Sequence, residues 1–389
     1  MQPIILRRAL LASAAALLVL GATLAPSAVA GREPGALARK VKVRQIAPGL
    51  TYTKIVEKKV PRRTFVLTVD LAEALTLDVT LTEPALPATR VLSRVVRQAG
   101  ALAGVNGDFG DRAGAPVHPF AQDGQLVRTS NQLGVLFGVT RDESTTHLGR
   151  PELDVTITDL ADGRVFAIDR WNDGDPAVGE LAGFSPLGGT REMPAASACS
   201  VRLVPSGPPT PSADTGVDQD FTVDVAQCAE EPLTRDGGVV LSAAPATDEA
   251  TLLLSLEPGT PMRLHWTLGW RDVFDAVGGV PLLLQDGALV NECNSDCGRV
   301  PRTGVGVTAE GEILLVVDGR QPRWSLGPTV GEFARIMKDL GAVDALNLDG
   351  GGSSEMVVQG EVVNRPSDGH ERGISNAILI LPGPDPGEA

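Results

Sequence analysis

The alternation of apolar and polar residues predicts mixed β-sheets with a few packed helices. Period-two runs at 65–70 and 75–81 read as strands, two segments, 89–99 and 329–340, carry helical spacing, and residues 155–279 hold many short alternating runs broken by Pro and Gly. At 389 residues the chain is long enough for one large domain with insertions or for two. Its 43% hydrophobic content fits a globular chain rather than a disordered or polytopic membrane one.

The N-terminus has a separate signature. Arg7-Arg8, an apolar run over 9–24 and Pro26-Ser27-Ala28-Val29-Ala30 have the layout of a signal peptide cut after Ala30, which assigns the mature chain to a secreted, cell-surface or periplasmic location. The apolar run is short for a membrane span, so no membrane partner is expected after cleavage. Loss of Arg7 and Arg8 moves the formal charge from −14 to −16, a surface that repels nucleic acid and anionic membranes with no basic block to offset it. An anionic substrate would then need a local cationic pocket. Four cysteines, an even number in an exported chain, favour disulfides, and proximity in sequence pairs Cys293 with Cys297 and Cys199 with Cys228. Zinc is not expected, because a single C-x3-C lacks a second ligand pair and His118, His147, His265 and His370 form no H-x-x-H pattern.

Taken in order, residues 31–48 read as a basic, weakly patterned linker, followed by the strands at 65–70 and 75–81 and by the 89–99 helix with Val91, Leu92, Val95 and Val96 on one side. A short strand at 101–105 ends in Asn106-Gly107-Asp108-Phe109-Gly110. Asp123-Gly124 and Asp286-Gly287 are hairpin turns of one pattern. Prolines make 204–212 a loop, and residues 303–308 and 313–318 pair across Ala309-Glu310-Gly311. Thr329 and Glu332 form a capping box and Gly341 stops that helix. A buried strand over 343–348 leads into Asp349-Gly350-Gly351-Gly352-Ser353-Ser354, after which 356–358 and 361–363 make a hairpin at Gln359-Gly360.

The triglycine loop is the centre of the candidate chemistry. Glycine carries an entropic cost on folding that a plain turn has no need to incur three times, and a run without β-carbons lets a ligand approach the main chain and meet its N–H groups. No Lys follows the glycines and a strand comes next, so the loop is not a Walker motif. Polar residues recur at other strand ends: Asn106 and Asp108, Arg302, Asp318 and Arg320, then Asn364, Asp368, Arg372 and Asn376. Singly, each is an ordinary turn former or surface ion pair; as a set they describe a pocket of carboxylates and phosphate-binding guanidinium groups.

The segments VNGDF, PRTGVGVTAEGEILLVVDGRQ, LGAVDALNLDGGGSSEMVV and VVNRPSDGHERGISNAILI resemble the phosphodiester glycosidase family, to which the uncovering enzyme belongs. The resemblance is strong over 301–381, good over 102–127 and faint between them. It implies an α+β catalytic domain, which we divide into 49–150 and 280–382 around the β-rich insertion that the short alternating runs give at 151–279, with the Pro/Gly-rich acidic residues 383–389 a flexible tail. It also implies hydrolysis of a sugar-1-phosphodiester or related envelope glycan to free sugar and a phosphomonoester. Asp349, the three glycines, Arg302, Asp318 and Asn376 fall on the family's motifs. One departure stands out: Phe109 is followed by Gly110-Asp111-Arg112, where the family resembles NG-G/D-FF.

For such a reaction Asp349 is the expected carboxylate at the anomeric carbon, with Asp108 or Asp318 as its partner. Arg302, Arg320 and the amides of Gly350, Gly351 and Gly352 would stabilise the departing phosphate, while Asn106 and Asn376 would bind sugar hydroxyls or orient the acids. Ser353, Ser354, Asn364, Asp368 and Arg372 complete the substrate-binding set. No cofactor is expected, and Ca or Mg is left open, since a metal-dependent phosphodiesterase using Asp108, Asp318 and Asp349 is one alternative. The other is a glycan-binding envelope protein without activity.

Overall fold

The computed structural model describes residues 39–130, 132, 134–142, 145–195, 198–290 and 297–383. The leader, Cys293 and the segment 384–389 lie outside them, and with Cys293 the expected Cys293–Cys297 pairing. Strands dominate, and three α-helices occur among the described residues.

Two sheets build the part that carries the triglycine loop. In the larger, eight strands run in the order Arg39–Ala47, Leu50–Glu57, Arg62–Val69, Glu312–Val317, Arg302–Val307, Asp344–Asn347, Leu282–Gln285 and Ala288–Leu289. In the smaller, Glu361–Val362, Met356–Val358, Ala103–Asn106, Asn376–Pro382 and Leu75–Leu81 are neighbours. Because side chains alternate along a strand, Phe65, Leu67 and Val69 of one sheet meet Leu77, Val79, Ile378 and Ile380 of the other in a common core. The intervening residues face outward to a helix on each side. Val66 and Ile313 pack on Phe333 and Met337 of the helix Val330–Asp339, and Ala377 and Leu379 pack on Leu92 and Val96 of the helix Leu92–Ala99. Strands drawn from 39–106 pair with strands drawn from 282–382 in both sheets, so the two parts of the chain form one scaffold.

Local chemistry sets these elements as anticipated in most places. The Thr329 hydroxyl accepts from Glu332 N at 3.2 Å while Glu332 accepts from Thr329 N at 3.1 Å, a complete capping box. Asp123-Gly124, Asp286-Gly287 and Gln359-Gly360 all have positive φ at both residues, the two-residue hairpin geometry that follows strand twist. The 89–99 segment differs: Arg90–Val91 is a strand paired with Gly373–Ile374, and the helix starts only at Leu92. Tertiary pairing there overrides a helical pattern.

The expected linker contains a nine-residue strand, Arg39–Ala47, which pairs with Leu50–Glu57 at the sheet edge. Arg39, Lys40, Lys42 and Arg44 are exposed along it, so a basic block does interrupt the acidic surface, and charge on an open edge discourages pairing with other chains. Val204 and Pro205 end the strand Cys199–Pro205, and Thr210–Pro211 makes a short bridge, so the expected loop over 204–212 is loop only in its middle.

Residues 154–267 fold mainly into a nine-stranded sheet with its own core around Trp171, Phe221 and Trp266. A third helix there, Asp248–Leu254, is capped by Thr247 accepting from Ala250 N; it was masked in the sequence by the flanking strand-like runs. Cys199 and Cys228 face each other across paired strands and form a disulfide. Val273–Gly279 leaves this sheet and joins Phe120–Gln122, Gln125–Arg128, Val135–Thr140 and Thr146–Gly149.

Phe333 is fully buried between its helix and the larger sheet, so Phe333→Ala is expected to cost about 3–5 kcal/mol in urea denaturation. Thr329→Ala, which removes only the cap, should cost about 1 kcal/mol.

Candidate active site

The ends of Ala103–Asn106 and Asp344–Asn347, one strand from each sheet, come together at the triglycine loop. Asp349 N donates to Gly107 O at 3.0 Å, and Asn106 Nδ2 donates to Asp349 O at 2.8 Å. Asn106 Oδ1 in turn accepts from Thr303 Oγ1 at 2.7 Å and Glu355 N at 3.1 Å. The Asp349 main chain is thereby fixed from both sides while its carboxyl turns to the cavities.

Two cavities share Asp349, Gly110 and Arg372 as walls. One, about 490 Å³, is lined also by Arg302, Arg320, Asn347, His118 and the three glycines. The other, about 240 Å³, is lined by Asp108, Asp111, Arg112, Ser353 and Ser375. Guanidinium groups crowd the loop: a β-carbon on Gly351 would lie 3.2 Å from Arg320 Nη1, and one on Gly352 would lie 2.2 Å from both Arg372 Nη2 and Asp368 Oδ2. Gly352 therefore has to be glycine for the Arg372–Asp368 pair to rest on the loop; that pair is made at 2.5 and 2.9 Å. Arg302 is buried, with Nε on Pro328 O at 3.3 Å and Nη2 on Gly298 O at 3.1 Å.

The loop amides do not form the open nest expected of them. Gly350 N donates to Asp349 Oδ1 at 2.8 Å and Gly351 N to Pro301 O at 2.9 Å, because the chain closes a 3-10 turn over Gly351–Ser353. Of the three, Gly352 N is the one left without such a main-chain or carboxylate acceptor among the described residues.

Burial pushes the Asp349 carboxyl up to about 6, and the Asp108 charge adds to the rise, against the opposing pull of the Ser353 hydroxyl, Gly350 N–H and Arg372. A carboxylic acid poised at that value serves either charge state near neutrality.

The remaining expected residues form the layer behind. Asp318 lines neither cavity: it accepts from Trp324 Nε1 at 2.6 Å, Arg365 N at 3.0 Å and Asn364 Nδ2 at 3.1 Å. Burial raises its carboxyl and these three donors oppose the rise. Its geometry is that of an anchor for the 318–328 and 364–365 loops, not of a partner to Asp349. Asn364 also bridges Met356 N and Ser354 O, and Ser354 Oγ is buried with no hydrogen-bond partner among the described residues. Asn376 Oδ1 accepts from Asp108 N at 2.6 Å, and neither Asn376 nor Asn106 lines a cavity, so both orient the acids' backbone. Asp108 Oδ1 pairs with His118 Nδ1 at 2.6 Å. His118 escaped the sequence reading because a single histidine outside any metal spacing gives no signal. Among the described residues no group of three His, Cys, Asp or Glu side chains has the arrangement of a metal site.

Fold and site together define a β-rich scaffold with an acid-and-arginine cleft where two sheets meet. Residues 212–381 match the family model for phosphodiester glycosidase, the family that the motifs over 301–381 resemble. It is 38% identical over 68 residues to the N-acetylglucosamine-1-phosphodiester alpha-N-acetylglucosaminidase of Mus musculus, covering 17% of this chain and 13% of that one. It is 37% identical over 81 residues to the SPbeta prophage-derived uncharacterized protein YomE of Bacillus subtilis, covering 21% and 12%. The chain thus spans only 12–13% of the length of these relatives. A hypothetical protein from Synechocystis has the same fold, with a TM-score of 0.68 at 20% identity over 88% of this chain and 63% of that one.

Because the folded state raises the Asp349 carboxyl above its unfolded value of 3.8, the associated stability is fully present below that value and is lost as pH rises through about 6. Asp349→Asn, which keeps an acceptor for Gly350 N–H, is accordingly expected to be more stable than the wild type at pH 8 by about 3 kcal/mol, the gap closing by pH 4, in urea melts at the two pH values.

Proposed function

We propose that this protein is an exported hydrolase that cleaves sugar-1-phosphodiesters at the glycosidic bond, giving free sugar and a phosphomonoester. The observation that carries this is the cavity in which Asp349 shares walls with Arg302, Arg320 and Arg372. A phosphomonoester is a far better leaving group than a sugar alkoxide, so its departure needs charge stabilisation more than full protonation, and guanidinium groups supply it in bidentate geometry. Ionised Asp349 faces the anomeric carbon and stabilises the positive charge that builds there as the bond to the phosphate oxygen breaks. A cleft of about 490 Å³ accommodates a sugar with its phosphate.

Several features support the setting. The Cys199–Cys228 disulfide fits an oxidising compartment, and among the described residues no helix is long and apolar enough to cross a membrane. The mouse relative's name places N-acetylglucosamine-1-phosphodiesters among the compounds to try first. Envelope polymers with sugar-1-phosphodiester linkages, such as teichoic acid, capsule or exopolysaccharide, are the natural substrates proposed.

The test is incubation of the mature protein with a panel of sugar-1-phosphodiesters while both products are assayed. Asp349→Asn should lower kcat/KM by about 10³-fold or more, and Arg320→Ala by about 10²–10³-fold, the scale of losing one charge-stabilising donor. For the wild type, kcat/KM should rise with pH through about 6 as Asp349 ionises. A protein that binds envelope glycan but turns over no member of the panel, with binding unchanged by Asp349→Asn, would be a lectin-like module and not a hydrolase.

A further inference from the structure

His118 occupies a site built for its ring. Its main-chain N donates to Asp108 Oδ2 at 2.8 Å and its Nδ1 lies 2.6 Å from Asp108 Oδ1, so one carboxylate grips the residue twice. Asp108 is itself fixed, its N donating to Asn376 Oδ1 at 2.6 Å and its Oδ1 accepting from Phe109 N at 2.7 Å. The ring lies against two glycines. A β-carbon on Gly134 would come within 2.4 Å of His118 Cδ2, and one on Gly278 within 2.2 Å of His118 Cβ, so any side chain at either position would displace the imidazole. His118 is only 3% exposed, yet it lines the same cavity as Asp349, Arg302 and Arg320.

This arrangement fixes the chemistry of the ring. A carboxylate against Nδ1 makes that nitrogen the N–H donor, which leaves the lone pair on Nε2, the atom for which no hydrogen bond to protein is made among the described residues. Asp108 is then occupied on both oxygens and is not a free second carboxylate for Asp349, while Asp318 is turned away to Trp324. Among the described residues, Nε2 of His118 is thus an acceptor that makes no hydrogen bond to protein, in a side chain that lines the same cavity as Asp349.

We propose that His118, oriented by Asp108, is the general base that activates the attacking water. The water oxygen bonds to the anomeric carbon as one of its protons passes to Nε2. The bond from that carbon to the phosphate oxygen breaks, its electron pair leaving with the phosphomonoester. The imidazolium then returns its proton to the phosphomonoester or to solvent, so that one water is consumed and charge balances. Asp108 acts through the histidine, as a positioning residue that sets its tautomer and holds the imidazolium. The inference rests on the glycosidase reading and assigns within it the role that the sequence had offered to Asp108 or Asp318.

The test uses the mature protein and the sugar-1-phosphodiester found most active in the panel. His118→Ala should lower kcat by about 10²–10⁴-fold with little change in KM, and added imidazole should restore part of it. Asp349→Asn should gain nothing from imidazole. Asp108→Asn should lower kcat, and the double variant Asp108→Asn/His118→Ala should be no slower than His118→Ala alone, since the two act as one unit. His118→Gln, which keeps the side chain's bulk, guards against loss through misfolding: it should melt like the wild type yet remain slow. Wild-type turnover with His118→Ala unimpaired, or a loss that imidazole does not relieve, overturns the inference while leaving the hydrolase reading standing; a wild type inactive on the whole panel removes both.

Discussion

The site depends on a reciprocal pair of hydrogen bonds that ties one strand end to another. Asp349 N reaches Gly107 O and Asn106 Nδ2 reaches Asp349 O, linking the exit of Asp344–Asn347 in one sheet to the exit of Ala103–Asn106 in the other. These strands are more than two hundred residues apart in the chain, and they meet because the two sheets share one apolar core. Burial of that core fixes where the strands end, and the strand ends fix where Asp349 and Asp108 sit. Loops that a rigid scaffold positions in this way hold functional groups closely without needing regular structure of their own.

Electrostatics follow from the same packing. Asp349 is buried beside Asp108, so its ionised form is disfavoured, and the Ser353 hydroxyl, Gly350 N–H and Arg372 compensate only in part. The chain as a whole is acidic, with a formal charge of −14, so the guanidinium groups must be local and backed by structure to draw in an anion. Arg302 is backed by the carbonyls of Pro328 and Gly298, and Arg372 by Asp368 on a loop cleared of side chains by Gly352.

Elements governed by short-range chemistry were legible in the sequence: the Thr329 capping box, the Asp-Gly and Gln-Gly turns, and the alternating strands at 65–70 and 75–81. The triglycine loop stood out in the sequence because three consecutive glycines carry an entropic cost that a plain turn does not require. What the sequence hid was decided by long-range partners. Arg90–Val91 leaves a helical pattern to pair with Gly373–Ile374, and Lys40 and Lys42 sit in a strand because Leu50–Glu57 offers an edge. Asp318 and Asp108 look alike as strand-end acids, and only the indole of Trp324 and the imidazole of His118 tell them apart. Gly134 and Gly278 carry no signal of their own in the sequence, and only the ring placed against them shows why each is glycine.

A hydrolase of the kind proposed breaks the bond to the anomeric carbon and not the bond to phosphorus. Hydrolysis of a sugar-1-phosphodiester in water enriched in oxygen-18, with mass analysis of both products, tests it directly. Label on the anomeric hydroxyl of the released sugar, with none in the phosphomonoester, is the result expected; label in the phosphate would show attack at phosphorus and contradict the account.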